Sequence, residues 1–133
     1  MTKPKKTSPV KPERITGIKH VFAATSYSIG GIRRLWRETA FRHEVSLYFI
    51  VLGVFAAVGA NMGEFLAATI LALLLLATEA LNTAIEAVVD HISPEWNEFA
   101  RDAKDLGSFA VMCLLIANGL FLAYVLWTHL ILS

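Results

Sequence analysis

A chain of 133 residues has room for one domain. It is 56% hydrophobic and 17% charged, whereas soluble domains carry about 25% charged residues, so the composition argues against a soluble fold. The single cysteine, Cys113, excludes an internal disulfide, and no nucleic-acid partner is expected at a net charge of +1.

The N-terminal segment is basic and rich in proline. Residues 1–14 contain three prolines and a lysine cluster, which predicts a disordered basic tail. No apolar stretch follows these charges, so the segment does not resemble a secretory signal. Residues 15–43 mix apolar and basic positions, which predicts an amphipathic surface helix, or two helices broken at Gly30-Gly31. Trp36 fits the aromatic belt at a membrane interface.

Three long apolar runs follow this segment. They cover about 45–62, 65–89 and 107–131. Crossing a bilayer takes roughly 20 helical residues, so each run predicts one membrane span. The sequence therefore predicts an all-α membrane protein with a tail over 1–14 and a single membrane domain over 15–133.

The basic residues are confined to one side of these spans. Ten of the twelve Lys and Arg lie between Lys3 and Arg42, and the other two are Arg101 and Lys104. Because positive charge marks the cytoplasmic side, we expect a multi-pass protein of the bacterial inner membrane. Its N-terminus would be cytoplasmic and its C-terminus periplasmic.

The second predicted span carries a narrow acidic stripe. At 100° per residue, Glu79, Asn82, Glu86 and Asp90 fall within roughly 80° of arc, and the remaining positions of the segment are mostly apolar. Glu79 would lie just inside the hydrocarbon, where a carboxylate indicates function by default. The alternative is a stripe that pairs with basic residues for assembly alone.

Carboxylates at a membrane interface suit phosphoryl transfer to a lipid hydroxyl. Magnesium is usually held by one or two carboxylates together with nucleotide phosphates, and a further carboxylate can accept the hydroxyl proton. The sequence has no phosphate-binding loop or Gly-rich kinase loop. Glu38, four residues from Arg34 and Arg42, predicts a surface ion pair. Lys104-Asp105 is either a helix anchor or a phosphate contact.

Three segments resemble one known family. They are ETAFRHE at 38–44, EALNTAIEAVVD at 79–90 and ARDAKDLGS at 100–108. Together they resemble the prokaryotic diacylglycerol kinases over roughly residues 16–130. The resemblance implies a homotrimer of three-span subunits that uses ATP and Mg²⁺.

The resemblance also implies roles for individual residues. Glu79 resembles the general base, with Asn82 and Asp90 as further catalytic groups, and Glu38 and Glu86 resemble the metal-holding pair. The implied ATP contacts are Tyr27, Glu38, Glu86, Glu95, Trp96, Asn97, Lys104 and Asp105. The implied contacts of the lipid substrate are Ser28, Arg33, Arg42, Glu44, Glu79 and Ser108.

We therefore expect ATP-dependent phosphorylation of diacylglycerol to phosphatidic acid. One alternative is undecaprenol kinase, which shares the motif of the second span. Another is a small proton- or cation-conducting subunit, since carboxylates within a span also mark ion paths, and a third is a non-catalytic membrane adaptor. Only a kinase needs Glu38 and Lys104-Asp105 on the same side as the stripe.

The acidic stripe also carries an expectation about assembly. Because three helices would shield the stripe poorly from lipid, we expect the second span to pack against its copies in neighbouring subunits. The surface helix that bears Glu38 would then close the site, from an adjacent subunit.

Overall fold

The structure is a computed structural model that describes residues 18–95 and 97–132, with side chains from Thr25 onward. The predicted tail over 1–14 and the predicted ATP contact Trp96 lie outside the described residues. Within the described part of the chain, short connections join four helices. Three of the helices are long and apolar enough to cross a membrane, so the prediction of an all-helical fold with three candidate spans is confirmed. The helices are α1 (Ile18–Leu35), α2 (Thr39–Val58), α3 (Met62–Ile92) and α4 (Glu98–Leu130).

The predicted surface segment is divided between α1 and α2. Helix α1 continues through Gly30 and Gly31 and ends at Leu35. Of the two predicted alternatives, the break at these glycines is therefore wrong, and the single helix over 15–43 is interrupted before Thr39. The peptide N–H of Glu38 donates to the carbonyl oxygen of Leu35 at 2.8 Å. Glu38 then adopts an extended backbone as the N-cap of α2. Glu38 therefore closes the turn that follows α1 and also caps the start of α2.

A tight connection joins α2 to α3. Gly59 has φ 76°, a left-handed conformation that glycine adopts without strain. Asn61 and Glu64 then form a capping box: the Asn61 side chain accepts from the Glu64 N–H at 3.1 Å, and the Glu64 carboxylate accepts from the Asn61 N–H at 2.7 Å. The two caps reverse the chain within a few residues.

The end of the bundle near this connection is apolar and well packed. Phe55 and Val125 are completely buried, and the Phe55 ring meets Phe65 edge-on at 5.8 Å between centroids. At the same end, His129 Nε2 lies 3.0 Å from Glu64 Oε2. This contact joins the start of α3 to the end of α4.

Polar side chains tie the helices together inside the predicted spans. The Tyr48 and Thr69 hydroxyls are hydrogen-bonded at 3.0 Å. Asn118 Nδ2 donates to the carbonyl oxygens of Leu114 at 2.8 Å and Leu71 at 3.3 Å. These bonds link α3 to both α2 and α4 in a region where unpaired polar groups are costly.

Helices α3 and α4 approach closely where Gly107 faces Asn82. A Cβ atom built on Gly107 would lie 3.2 Å from Asn82 Cγ and closer still to Asn82 Oδ1, so a larger residue at 107 would displace the amide. The 31 residues of α3 make about 46 Å of helix, which exceeds the roughly 30 Å of a bilayer core. The glycine contact thus positions Asn82 and the acidic end of α3 beside α4.

Candidate active site

A cavity of about 360 Å³ lies where the acidic part of α3 faces α4 and the start of α2. We call it the carboxylate cavity. It contains five of the predicted site residues, which are Glu38, Glu79, Asn82, Glu86 and Ser108. In a single chain, Glu38 therefore lies beside the acidic stripe of α3.

The acidic face of α3 is buried within the chain at Glu79 and Asn82, half-buried at Glu86 and exposed at Asp90. Glu79 is 6% exposed and Asn82 is 8% exposed. The opposite face of α3 is apolar and open, with Leu73 and Leu81 at 60% and 65% exposure. Glu79 and Asn82 are therefore covered by α2 and α4 of the same chain. The expectation that neighbouring subunits cover the stripe stays a prediction.

Asn82 has one satisfied and one unsatisfied polar atom. Its Nδ2 donates to Glu86 Oε1 at 3.0 Å. Its Oδ1 is buried and has no hydrogen-bond partner in the part of the chain that the structure describes. A buried acceptor without a partner is costly, so this oxygen is available to a donor that enters the cavity, such as a hydroxyl.

Glu38 has two sets of neighbours. Its carboxylate pairs with Arg34 across one helical turn, as the sequence predicted, whereas Arg42 donates to the Thr39 hydroxyl at 3.2 Å instead. Glu38 also lines the carboxylate cavity and acts electrostatically on Glu79, as does Glu86. Carboxylates that repel one another across a cavity are stabilised by a cation between them, so these residues suit a metal ion.

A second cavity, of about 330 Å³, lies under the connection between α3 and α4. We call it the loop cavity. Lys104 Nζ lies 2.5 Å from Asp90 Oδ1 within it, and Lys104 also interacts with Glu86. Since Glu86 lines the carboxylate cavity, charges of the two cavities interact near one turn of α3. The loop cavity is lined by Asp90, Ser93, Pro94, Glu95, Asn97, Ala100, Arg101, Lys104 and Asp105.

Asn97 has a structural role in this region. Its Oδ1 accepts from the Ala100 N–H at 2.8 Å, which caps α4, and its Nδ2 donates to the Ser93 hydroxyl. The side chain of this predicted ATP contact therefore holds the loop in shape.

A third cavity, which we call the apolar cavity, lies between α2, α3 and α4. Glu44 stands at one end, and Phe55 and Phe121 stand further along it. Glu44 is 8% exposed, its Oε2 has no hydrogen-bond partner among the described residues, and it interacts electrostatically with Glu79. Leu115 lines both this cavity and the carboxylate cavity, so the apolar cavity lies next to the acidic site.

The structure does not bring every predicted residue to these cavities. Four predicted contacts line none of the three, and all four are exposed; they are Tyr27, Ser28, Arg33 and Arg42. Sequence reasoning missed Arg101, Met112 and Leu115. The last two lie four and seven residues after Ser108, a helical spacing that places them on its face, so periodicity could have found them.

Comparisons with known proteins address the same residues. A sequence profile described as "Prokaryotic diacylglycerol kinase" matches residues 26–126. The chain belongs to the prokaryotic diacylglycerol kinase family. It is similar to the diacylglycerol kinase of a Sinorhizobium species, with 53% identity over 90% of this chain and 85% of that protein. It is also similar to the diacylglycerol kinase of Escherichia coli K12, with 37% identity over 86% of this chain and 94% of that protein.

Membership of the diacylglycerol kinase family raises the question of a divalent metal. Among the described residues, no group of three His, Cys, Asp or Glu side chains could hold an ion by itself. Glu38 and Glu86 nevertheless share one cavity, and two carboxylates with nucleotide phosphates are a usual ligand set for Mg²⁺. The residues present therefore fit a metal bound together with nucleotide.

Proposed function

We propose that this chain transfers the γ-phosphoryl group of ATP to the free hydroxyl of diacylglycerol, which yields phosphatidic acid and ADP. Its family consists of lipid kinases named for that substrate. The observation that carries the proposal is the order of the three cavities. Leu115 lines both the apolar cavity and the carboxylate cavity. Lys104 of the loop cavity interacts electrostatically with Glu86 of the carboxylate cavity.

The lipid would place a few methylene groups of one acyl chain in the apolar cavity, whose volume is about 110 Å³. Its glycerol end then faces Glu44 and Asn82, whose buried oxygens have no hydrogen-bond partner among the described residues. Diacylglycerol has one hydroxyl proton, and either oxygen can accept it as a hydrogen bond while the lipid binds. For the reaction the hydroxyl would turn this proton to Glu79. Glu44 and Ser108 are predicted lipid contacts.

Glu79 is the general base of the proposed reaction. It is buried, lines the carboxylate cavity and interacts with Glu44 on one side and with Glu38 and Glu86 on the other. A carboxylate in this position can take the proton of the hydroxyl as its oxygen bonds to the phosphorus. Asn82, bonded to Glu86, holds the neighbouring carboxylate in place.

Glu38 and Glu86 would hold Mg²⁺ with the nucleotide. The ion supplies charge neutralisation for the transferring phosphoryl group. The nucleotide phosphates would lie toward the loop cavity, where Lys104 offers a cation held by Asp90. Glu95, Asn97 and Asp105 form the rest of the predicted nucleotide side.

A homotrimer accounts for the open face of α3. Exposed residues recur there at spacings of three and four, the pattern of a helix-packing seam. Because this face lies opposite the acidic stripe, three copies could pack α3 against α3 and leave each site intact. The seam consists of Leu66, Ile70, Leu73, Ala77, Leu81, Ile85 and Val88.

The orientation follows from charge. The site contains Arg101 and Lys104, and the other ten Lys and Arg of the sequence all precede residue 43, before the apolar run of the first span. We therefore place the site at the cytoplasmic face of the inner membrane. Cytoplasmic ATP reaches the loop cavity from this side. The C-terminus would be periplasmic.

A panel of lipid acceptors tests the proposal. Purified full-length protein with labelled ATP and Mg²⁺ should phosphorylate diacylglycerol much faster than undecaprenol. Preference for undecaprenol would reassign the acceptor and keep the kinase, whereas transfer to neither alcohol would contradict the proposal. A cation-conducting role is less well supported, because Glu38 and Lys104 accompany the stripe on one side.

A further inference from the structure

Arg101 is the second cation of the loop cavity, beside Lys104. It lines the cavity with Lys104 and the carboxylates of Asp90, Glu95 and Asp105. It is also the only arginine of the sequence beyond Arg42. Three carboxylates and two cations in one cavity leave little positive charge for a polyphosphate unless both cations can face it.

Lys104 cannot supply that charge alone. Its ammonium lies 2.5 Å from Asp90 Oδ1 and is drawn toward Glu86 as well. An ammonium is a compact charge without a preferred plane. A nucleotide in this cavity therefore meets a cation that is already paired to α3.

Arg101 has partners that are easily exchanged. Its Nε and Nη2 donate to Asp102 Oδ1 at 3.2 and 3.0 Å, and its Nε lies 4.0 Å from Asp105 Oδ2. The Arg101 and Asp102 side chains are 50% and 61% exposed, and exposed ion pairs contribute little stability. Asp102 does not line the cavity, so a guanidinium that leaves it can turn inward at little cost.

The position and chemistry of Arg101 suit a phosphate. Residues 101 and 104 lie three apart on α4, which places both side chains on one face of the helix. A guanidinium is planar and carries five donors that match phosphate oxygens in pairs. We propose that Arg101 exchanges Asp102 for the polyphosphate of the nucleotide and is a specificity-determining contact for ATP. The proposal rests on the proposed function, in which nucleotide enters the loop cavity.

The test uses purified full-length protein in detergent micelles. Binding of MgADP and of adenosine is measured by calorimetry without any lipid acceptor, and steady-state kinetics are measured with diacylglycerol. In Arg101→Ala, the Kd for MgADP and the KM for MgATP should each rise by about ten- to a hundredfold, the effect of one lost charged contact. Adenosine affinity and kcat at saturating MgATP should stay close to those of the parent chain.

Two variants serve as controls. Arg37→Ala removes an exposed arginine that lines none of the three cavities, and its KM for MgATP should not change. Asp102→Asn removes the resting partner of Arg101 and should leave the KM unchanged or lower it. Arg101→Lys keeps the charge without the planar fork, and its KM should lie between those of the parent and Arg101→Ala.

Each outcome bears on the proposal. An unchanged Kd for MgADP in Arg101→Ala overturns it, and so does a loss of kcat at unchanged KM. Should the alanine variant not fold, Arg101→Gln replaces it under the same criteria. If the parent chain phosphorylates no diacylglycerol, the proposed function fails, while the comparison of MgADP affinities still decides the role of Arg101.

Discussion

Three carboxylates meet in the proposed site. The periodicity of α3 places two of them there, and the start of α2 places the third. Glu79 and Glu86 lie seven residues apart on α3, which repeats one helix face after two turns. Glu38 reaches the same cavity as the N-cap of α2. Helical periodicity predicted the first pair from sequence alone. The position of Glu38 depends on how α2 packs against α3, which no local pattern specifies.

Replacing the proposed base tests the chemistry at Glu79. The Glu79→Gln variant keeps the size of the side chain but cannot accept the proton of the alcohol. Turnover should fall by roughly 100- to 10,000-fold, the usual effect of losing a general base, while size-exclusion chromatography shows unchanged assembly. Near-normal turnover would refute the assignment of Glu79.

Removing either proposed metal ligand should change the metal requirement. In Glu86→Ala and in Glu38→Ala, the Mg²⁺ concentration for half-maximal activity should rise by about tenfold, the effect of a contact of about 1.4 kcal/mol. Activity is measured against Mg²⁺ at saturating ATP. Glu98→Gln, an exposed residue outside the three cavities, is the matched control. Lost activity at an unchanged Mg²⁺ requirement would indicate a positioning role instead.

Among the secondary-structure elements, the three spans were predictable and the connection before them was not. Long apolar runs specify helices because a bilayer offers no other partner for the backbone. The break between α1 and α2 falls at Trp36–Glu38, after Arg34, whose side chain pairs with Glu38 across the turn. Gly30 and Gly31 led to the alternative of a helix break at that pair. Both glycines are exposed within a continuous helix, where glycine is tolerated.

The close approach of α3 and α4 gives a test at this scale. In Gly107→Ala, the new methyl group forces the Asn82 amide to turn away and breaks its bond to Glu86. Turnover should fall by roughly ten- to a hundredfold, as for a misplaced catalytic group. Alanine favours a helix over glycine by about 1 kcal/mol, which offsets the cost of moving the Asn82 amide. The melting temperature should therefore change little.

Gly53→Ala is the control for this variant. Nothing lies within 4 Å of a Cβ atom at Gly53 on α2, so the substitution gains helix propensity without a clash. Its turnover should match that of the parent chain. Equal activity of the two alanine variants would show that the Gly107–Asn82 contact does not position the site.

At the scale of the whole molecule, the two faces of α3 have different surroundings. Glu79 and Asn82 on the acidic face are covered by α2 and α4 of their own chain, whereas the apolar face is open. The sequence predicted self-association through the acidic face, because helical periodicity finds a polar stripe without showing which neighbour covers it. That coverage depends on how α2 and α4 pack against α3, which no local pattern specifies.

Mixing inactive subunits distinguishes a site within one chain from a site shared between chains. Glu38, Glu79 and Glu86 line one cavity of one chain, and Lys104 pairs with Asp90 of the same chain. A mixed assembly of Glu79→Gln and Lys104→Ala subunits therefore contains no complete site, and it should stay as inactive as its parents. Glu79→Gln mixed with Glu38→Ala should behave in the same way.

Two controls accompany these mixtures. Mixtures of Glu79→Gln with the parent chain should keep activity in proportion to the parent subunits, and co-purification of two affinity tags proves that subunits exchange. Recovered activity in either doubly inactive mixture would mean that neighbouring chains share their residues, as the sequence first suggested, and that the α3 seam brings two half-sites together.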